Sequence, residues 1–319
     1  MNKKKAYQTI NNFIAIWLVF MLFIVGCSRK IDPKKNDTPT SGEVIIVADE
    51  AYTTILEDMR FLYEIKYPKS KLKIKYIGED EAMESLLSDS VRLAIVSCEP
   101  NERQLQFFKN KGITHFVNHI ANDGIVLVAN KDCSIDSLTL KQLQEIINGT
   151  LIPTKTNSAN FVYGFSVQGS GIANYFRNNY LTKEKKFPEN FGTFKSTINL
   201  LDSVKKYKHV IGFIGYNYIS DKDDSLAKYI KQNFKVISLQ SLKNHNQFVL
   251  PSQSTIADSA YPLVRRVMVI NREGKTGLGT GFVIFMASHK GQRVMLKAGM
   301  IPATMPAREV RFIKRNIKI

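Results

Sequence analysis

The sequence predicts an α/β fold around a mostly parallel sheet, with enough chain for two domains. Three observations carry this. Short apolar runs with β-branched residues, such as Val44-Ile45-Ile46-Val47-Ala48 and Val91-Arg92-Leu93-Ala94-Ile95-Val96, have the length of buried strands. Stretches with apolar residues at helical spacing separate these runs, and strands alternating with helices favour a sheet covered on both faces. The composition of the 319 residues, 44% apolar and 23% charged, is globular.

The elements follow in order. After the first strand, Asp49 to Tyr52 forms a loop. A helix from Thr53 carries Ile55, Leu56, Met59, Leu62 and Tyr63 on one face and stops at Tyr67-Pro68. Leu72 to Tyr76 alternates as a second strand. Glu79 to Asp89 is helical, Val91 to Val96 is the third strand, and Ser97 to Pro100 is a loop. A helix over 101–111 precedes a strand from Phe116 to Ile120. A turn at Asp123-Gly124 opens a long apolar strand to Asn130. Thr139 caps a helix that Gly149 closes. Later strands cover Val210 to Tyr216, Phe234 to Leu239 and Val267 to Ile270. One apolar helix runs from Gly281 through Ser288 to Gly299.

Phe165 to Leu181 reads as a strand end, a Gly169-Ser170-Gly171 loop and a helix striped by Ile172, Tyr175, Phe176 and Tyr180. Ser170 caps that helix. Its first amides lack internal partners and face the positive end of the dipole, which suits an anion. An ordinary cap without a ligand fits the same residues.

At the N-terminus, Lys3, Lys4 and Lys5 precede an unbroken apolar run from Phe13 to Val25. A basic start and a run well under the roughly 20 residues of a membrane span read as a signal peptide over 1–26. Ile24-Val25-Gly26-Cys27 resembles the lipobox of bacterial lipoproteins, with Ile24 where Leu is usual. The resemblance implies cleavage before Cys27 and its lipidation, which attaches the chain to a membrane on the periplasmic side of the cell envelope. Residues 27–42, rich in Lys, Asp, Pro, Thr and Ser, form a flexible tether.

Without Lys3, Lys4 and Lys5 the chain keeps 42 basic residues against 28 acidic ones, a balance of +14. That balance suits anionic partners. The lysines are scattered rather than clustered with aromatics, which argues against nucleic acid. Cys98 and Cys133 would lie in an exported compartment, as a disulfide or as two free thiols.

The order of motifs resembles the phosphate-binding proteins of ATP-driven importers, in the type II periplasmic binding protein superfamily. Tyr63-Glu64-Ile65-Lys66-Tyr67-Pro68 is similar to the family's Phe-x-x-x-Tyr-Pro. Leu93 to Pro100 resembles its strand ending in Ser-Ser-Arg-Pro. Asp123 to Asn130, then Ser137 to Thr150, match its Asp-Gly-Ile strand and Leu-Thr helix. Gln168-Gly169-Ser170-Gly171-Ile172 matches its Gly-Ser-Gly-Thr, with Ile172 for Thr. Ile211 to Tyr216, Tyr261 to Arg266, and Phe285 to Pro302 resemble its last landmarks.

The resemblance implies two α/β lobes with a ligand cleft between them. It places 43–121 and 240–319 in lobe one and 122–239 in lobe two. It implies phosphate or a similar oxyanion as ligand, no cofactor or metal, and an ABC importer permease as partner. Carried over by position, the ligand contacts would be Gly169, Ser170, Gly171 and Ile172 from lobe two, with Glu50, Ala51 and Ser97 from lobe one.

The departures concern charge. Ser166 stands where the family has an Arg clamp. Asp49 and Glu50 replace a small hydroxylic loop, and Cys98-Glu99 replaces Ser-Arg. One carboxylate, Glu50 or Glu99, would select a protonated phosphate over sulfate. Several carboxylates weaken anion binding unless Arg92, Arg265 or Arg266 compensates. Asp49 and Glu50 also fit as caps of the first helix.

The rival reading is a lipoprotein of this fold that acts as a sensor or protein-interaction module through a decayed site. An enzyme is disfavoured: Gln168 to Gly171 lacks the Gly-x-Ser-x-Gly elbow, and His115 and His119 lie in a strand-like context rather than a metal-binding helix.

Overall fold

The computed structural model describes residues 37–150, 161–182 and 186–306. The expected signal peptide, Cys27 and the tether up to residue 36 lie outside the described residues. Strands and helices alternate at first: β1 (Gly42–Asp49), α1 (Thr53–Lys66), β2 (Ser70–Ile77), α2 (Glu79–Leu87), β3 (Leu93–Val96), α3 (Glu102–Asn110). Next come β4 (Phe116–Asn130), β5 (Ser137–Leu138), α4 (Leu140–Asn148), β6 (Val162–Phe165), α5 (Gly171–Asn179), β7 (Phe191–Thr193), α6 (Thr197–Lys206) and β8 (Val210–Gly215). The chain continues through α7 (Asn217–Ser220), α8 (Ser225–Asn233), β9 (Phe234–Val236), β10 (Ser238–Gln240), β11 (Phe248–Val249) and α9 (Gln253–Ala257). It ends in β12 (Val264–Asn271), α10 (Leu278–Ala287), α11 (His289–Lys297) and β13 (Ile301–Pro302).

Local chemistry explains the helix limits. Thr139 and Gln142 form a reciprocal cap at the start of α4, and Gly149 closes it at φ 69°, the left-handed region that favours glycine. The single helix expected after Gly281 is two. Ser288 takes an extended ψ of 161°, and its side chain caps Gly291 N–H to start α11. The turn expected at Asp123-Gly124 is absent, because both residues lie inside the 15-residue β4.

That long strand joins the lobes. Residues 116–124 of β4 pair antiparallel with β12, and 125–129 pair antiparallel with β8. The sheet order is β2-β1-β3-β12-β4-β8-β6-β7, with β9 and β13 also on β4. β1 is parallel to β2 and β3, and β6 to β7 and β8. The sheet is therefore mixed rather than mostly parallel, with its antiparallel part where β4 and β12 cross between lobes.

Each half of the sheet is covered on both faces. In lobe one, Ile46, Leu56, Tyr63, Leu93, Val269 and Phe282 pack on one side, and Val47, Met83, Leu86, Phe108 and Met268 on the other. In lobe two, Leu127, Leu143, Phe165, Phe176 and Phe213 oppose Val126, Leu200, Val204, Ile214 and Phe234. Ile256, Tyr261 and Leu263 belong to the lobe-two core, and β11 pairs with β10. The chain thus returns to lobe one at Val264, later than the expected 240. The end of the expected tether is held: Asp37 accepts Leu278 N–H at 2.6 Å, and Tyr63 donates to the Pro39 carbonyl. Among the described residues no helix is long and apolar enough to cross a membrane.

Candidate functional site

β1, β3, β6 and β8 converge with their carboxyl ends on the space between the lobes, where open α/β sheets bind ligands. The turns that leave these strands place Asp49, Glu50, Ser97, Ser166 and Asn217 there. α5 begins at the same place. Ser170 caps it as expected, accepting Ala173 N–H; Gly169 takes φ 64°, the left-handed region that favours glycine, and a Cβ there would lie 2.6 Å from Asp80 Oδ2.

The polar groups expected to hold a ligand are engaged by the chain's own carboxylates. Gly171 N–H, the first amide of α5, donates to Asp49 Oδ2 at 2.5 Å. Asp49 Oδ1 accepts Ala51 N–H at 3.0 Å. The backbone N–H and hydroxyl of Ser97 both donate to Glu79 Oε2 at 2.5 Å. Asn174, on α5, donates to Glu79 at 3.2 Å and to Asp80 at 2.7 Å. Glu50 crosses the cleft to cap α6, accepting Thr197 N–H and Oγ1–H, each at 2.8 Å. Asp49 and Glu50, neighbours on one lobe, thus cap two helix N-termini of the other, each favoured by the helix dipole. Ile172 turns its side chain into the lobe-two core.

Arg265 is a buried cation at the cleft. On β12 it stands opposite Asp123 of β4 and donates to Asp123 Oδ2 at 3.1 Å. Its Nη1 lies 3.8 Å from Asp49 Oδ1, and its guanidinium stacks 4.5 Å over Tyr52. Asp123 also accepts two bonds from Asn217 at 3.2 Å. Nε and Nη1 of Arg265 and Oγ of Ser166 are buried without hydrogen-bond partners. Burial opposes the Arg265 charge, but Tyr52, Asp123 and Asp49 outweigh it and raise its pKa. Burial raises Asp123, against the pull of Arg265.

Burial pushes Asp49 up to about 6, with Arg265 opposing and Glu79 reinforcing the shift. An acid raised on folding binds more protons folded than unfolded between about pH 4 and 6. Stability associated with Asp49 therefore falls as pH rises through that window. Urea unfolding from pH 4 to 7 checks this: Asp49→Asn removes that part of the slope.

The loops that carry Glu50, Ala51, Ser97, Gly169, Ser170, Gly171 and Ile172 come together at the cleft, but the Glu50 carboxylate caps α6, and Ala51 and Ile172 are buried in the lobe-two core. Glu99 is elsewhere, exposed and bonded to Arg266 at 2.9 Å. Of the three candidate compensating arginines, Arg265 is the buried one. Glu79, Asp80, Asn174, Thr197 and Asn217 were missed; acidic residues at a helix start carry no signal beyond ordinary capping. Cys98 and Cys133 are both free thiols. Among the described residues no group of His, Cys, Asp and Glu could hold a metal ion.

The comparisons with known proteins agree with this fold. The pattern of the PBP superfamily domain matches residues 33–290. The phosphate-binding protein PstS of Pseudomonas aeruginosa is 24% identical over 328 aligned positions, covering 96% of both chains. That of Staphylococcus saprophyticus is 26% identical over 220, with 66% of this chain and 63% of the relative covered. A putative phosphate ABC transporter substrate-binding protein with bound phosphate, from Clostridium perfringens, superposes with a TM-score of 0.68 at 20% identity, covering 82% of this chain and 100% of that one. A phosphate transport receptor of Vibrio cholerae gives 0.60 at 18% identity, covering 81% and 99%. With two lobes, a shared crossing strand and strand ends facing a cleft, the chain belongs to the PBP superfamily, as a divergent relative of its phosphate-binding members.

Proposed function

We propose that this chain is an extracytoplasmic receptor for phosphate or a similar oxyanion, held to the membrane by a lipid on Cys27 and serving an ABC importer permease. In this reading its own carboxylates occupy the anion's place until the ligand arrives. One observation carries it. The first amide of α5 points at a negative oxygen 2.5 Å away, and a buried guanidinium with unpartnered nitrogens lies 3.8 Å from the same carboxylate. An amide at a helix start beside a fixed cation is an anion site. Asp49 fills it from within.

Ligand contacts in this reading are Gly171, Ser170, Ser97 and Arg265, with Ala51, Gly169 and Ile172 shaping the loops and Glu50 holding the lobes together. A phosphate enters by displacing Asp49 and Glu79. It binds more readily with a shared proton, since a protonated oxygen donates to a carboxylate where sulfate has none to give. The chemistry is binding rather than catalysis.

A second reading is favoured by charge. Asp49, Glu50, Glu79 and Asp123 are buried around Arg265, the one buried cation among the described residues. That excess repels an anion and fits a cleft held shut, in a lipoprotein that works through its outer surface. Calorimetry with phosphate and sulfate at pH 5.5 and 8 separates the two. The receptor gives heat with phosphate only, and tighter binding at pH 5.5. Absence of heat with either anion at millimolar concentration contradicts it and leaves the second reading.

A further inference from the structure

We infer that the pole of lobe one opposite the cleft is a membrane-docking surface, which seats Phe116 and Ile284 in the interface of an anionic bilayer. This rests on the lipid-anchor reading above. The strand register defines the pole. β1 and β3 run toward the cleft, so their first residues lie at its far end. Leu93 at the start of β3 and Phe116 at the start of β4 both pair with Asn271 at the end of β12. Phe116 is 58% exposed and Ile284 59% exposed. Both line a groove of about 450 Å³ whose walls include Lys275, Thr276 and Val283. An aromatic and an aliphatic side chain held open to water side by side suit the apolar side of a headgroup layer.

The surrounding charge is complementary to anionic lipid. Lys69, Lys71 and Arg92 are exposed at the same strand ends. The neighbouring acids are engaged: Asp37 with Lys275 at 2.8 Å, Asp89 with Arg272 at 3.3 Å, and Glu273 with the amides of Gly279 and Thr280. The chain also enters lobe one here, because Asp37 is pinned to Leu278 and Lys275. Ten residues separate the anchor from this point, counting 27 through 36. They reach at most about 35 Å when fully extended. Arg29, Lys30, Lys34 and Lys35 against Asp32 make that segment basic, which attracts it to anionic headgroups.

The test uses the processed protein purified from membranes, which in this reading begins at Cys27. The sequence has a single Trp, Trp17, inside the expected signal peptide. Phe116→Trp, Ile284→Trp and Tyr207→Trp therefore each supply one reporter, the last at the start of the link to β8 on the far pole of lobe two. Each variant is reconstituted into phosphatidylglycerol vesicles with and without brominated chains, after mass spectrometry of the N-terminal peptide. The expected result is a shift to shorter wavelength and loss of emission with brominated lipid at 116 and 284, with neither at 207. An unacylated Cys27 overturns the anchor reading and this proposal with it. Acylated protein whose reporters at 116 and 284 stay as exposed as that at 207 overturns the docking face alone. Shielding in native membranes but not in pure lipid assigns the face to a protein partner, which also overturns it.

Discussion

Arg265→Met lowers the free energy of unfolding by about 3–5 kcal/mol, the cost of stranding buried carboxylates without their cation. Asp123 loses a bond of 3.1 Å, and Asp49 loses its nearest positive charge at 3.8 Å. Asn217 remains for Asp123, and the α5 dipole for Asp49, but neither carries a full charge. The residue is 3% exposed, so water does not replace the guanidinium. Arg265→Lys recovers part of the loss, because an ammonium keeps the charge without the planar fork. Urea unfolding at pH 7.5 measures both. A change below about 1 kcal/mol for the methionine variant would show that Asp49 and Asp123 do not need the cation, against the range expected for a broken buried pair.

Gly78→Ala shifts the lobes toward the open form. A Cβ at Gly78 would lie 2.3 Å from the carbonyl oxygen of Gln168 and 3.2 Å from that of Gly169, and both are backbone atoms of the opposite lobe. Side chains rotate away from such a clash; backbone held by its own bonds does not. Gly169 is fixed there by Asp80 N–H, which donates to its carbonyl at 3.1 Å. Overpacking of this kind costs about 1–3 kcal/mol. Here the open cleft relieves it, so the closed form is depleted by roughly fivefold to a hundredfold, taking about 1.4 kcal/mol per factor of ten. Small-angle scattering then shows a larger radius of gyration than wild type, with the melting of each lobe core little changed. An unchanged radius would mean that the contact between Gly78 and Gln168 does not govern closure.

The fold was legible because it is written in local patterns. Apolar runs, helix stripes and caps such as Thr139 and Ser170 are read from a few neighbouring residues, and the elements follow them. Crossings between lobes were less legible. Asp123-Gly124 carries the residues of a turn, yet pairing on both sides keeps β4 extended through them. Tertiary pairing outweighs turn propensity there. Likewise the segment before Val264 reads as a connector, whereas Tyr261 donates to the Ile125 carbonyl at 2.7 Å and belongs to lobe two.

The site was half legible for a related reason. A Gly-Ser-Gly helix start is a local feature, so its place was readable. What fills it depends on residues 122 positions away, as Asp49 is from Gly171. The acidic loop was visible as a departure from the resemblance, and Arg265 as one of three arginines. Their meeting at one helix mouth is set by the sheet register, in which Arg265 opposes Asp123.

In the proposed function Asp49 and Glu79 stand in the anion's place. The most direct measurement is phosphate calorimetry at pH 7.5 on wild type and on Asp49→Asn combined with Glu79→Gln. Removing both charges weakens the bonds from Gly171 N–H and Ser97, since an amide oxygen accepts less strongly than a carboxylate, and ends the repulsion of the ligand. The expected result is phosphate binding at least about tenfold tighter in the double variant, about 1.4 kcal/mol or more. Equal or weaker binding than wild type would contradict it, because the two carboxylates would then be supporting the ligand rather than replacing it.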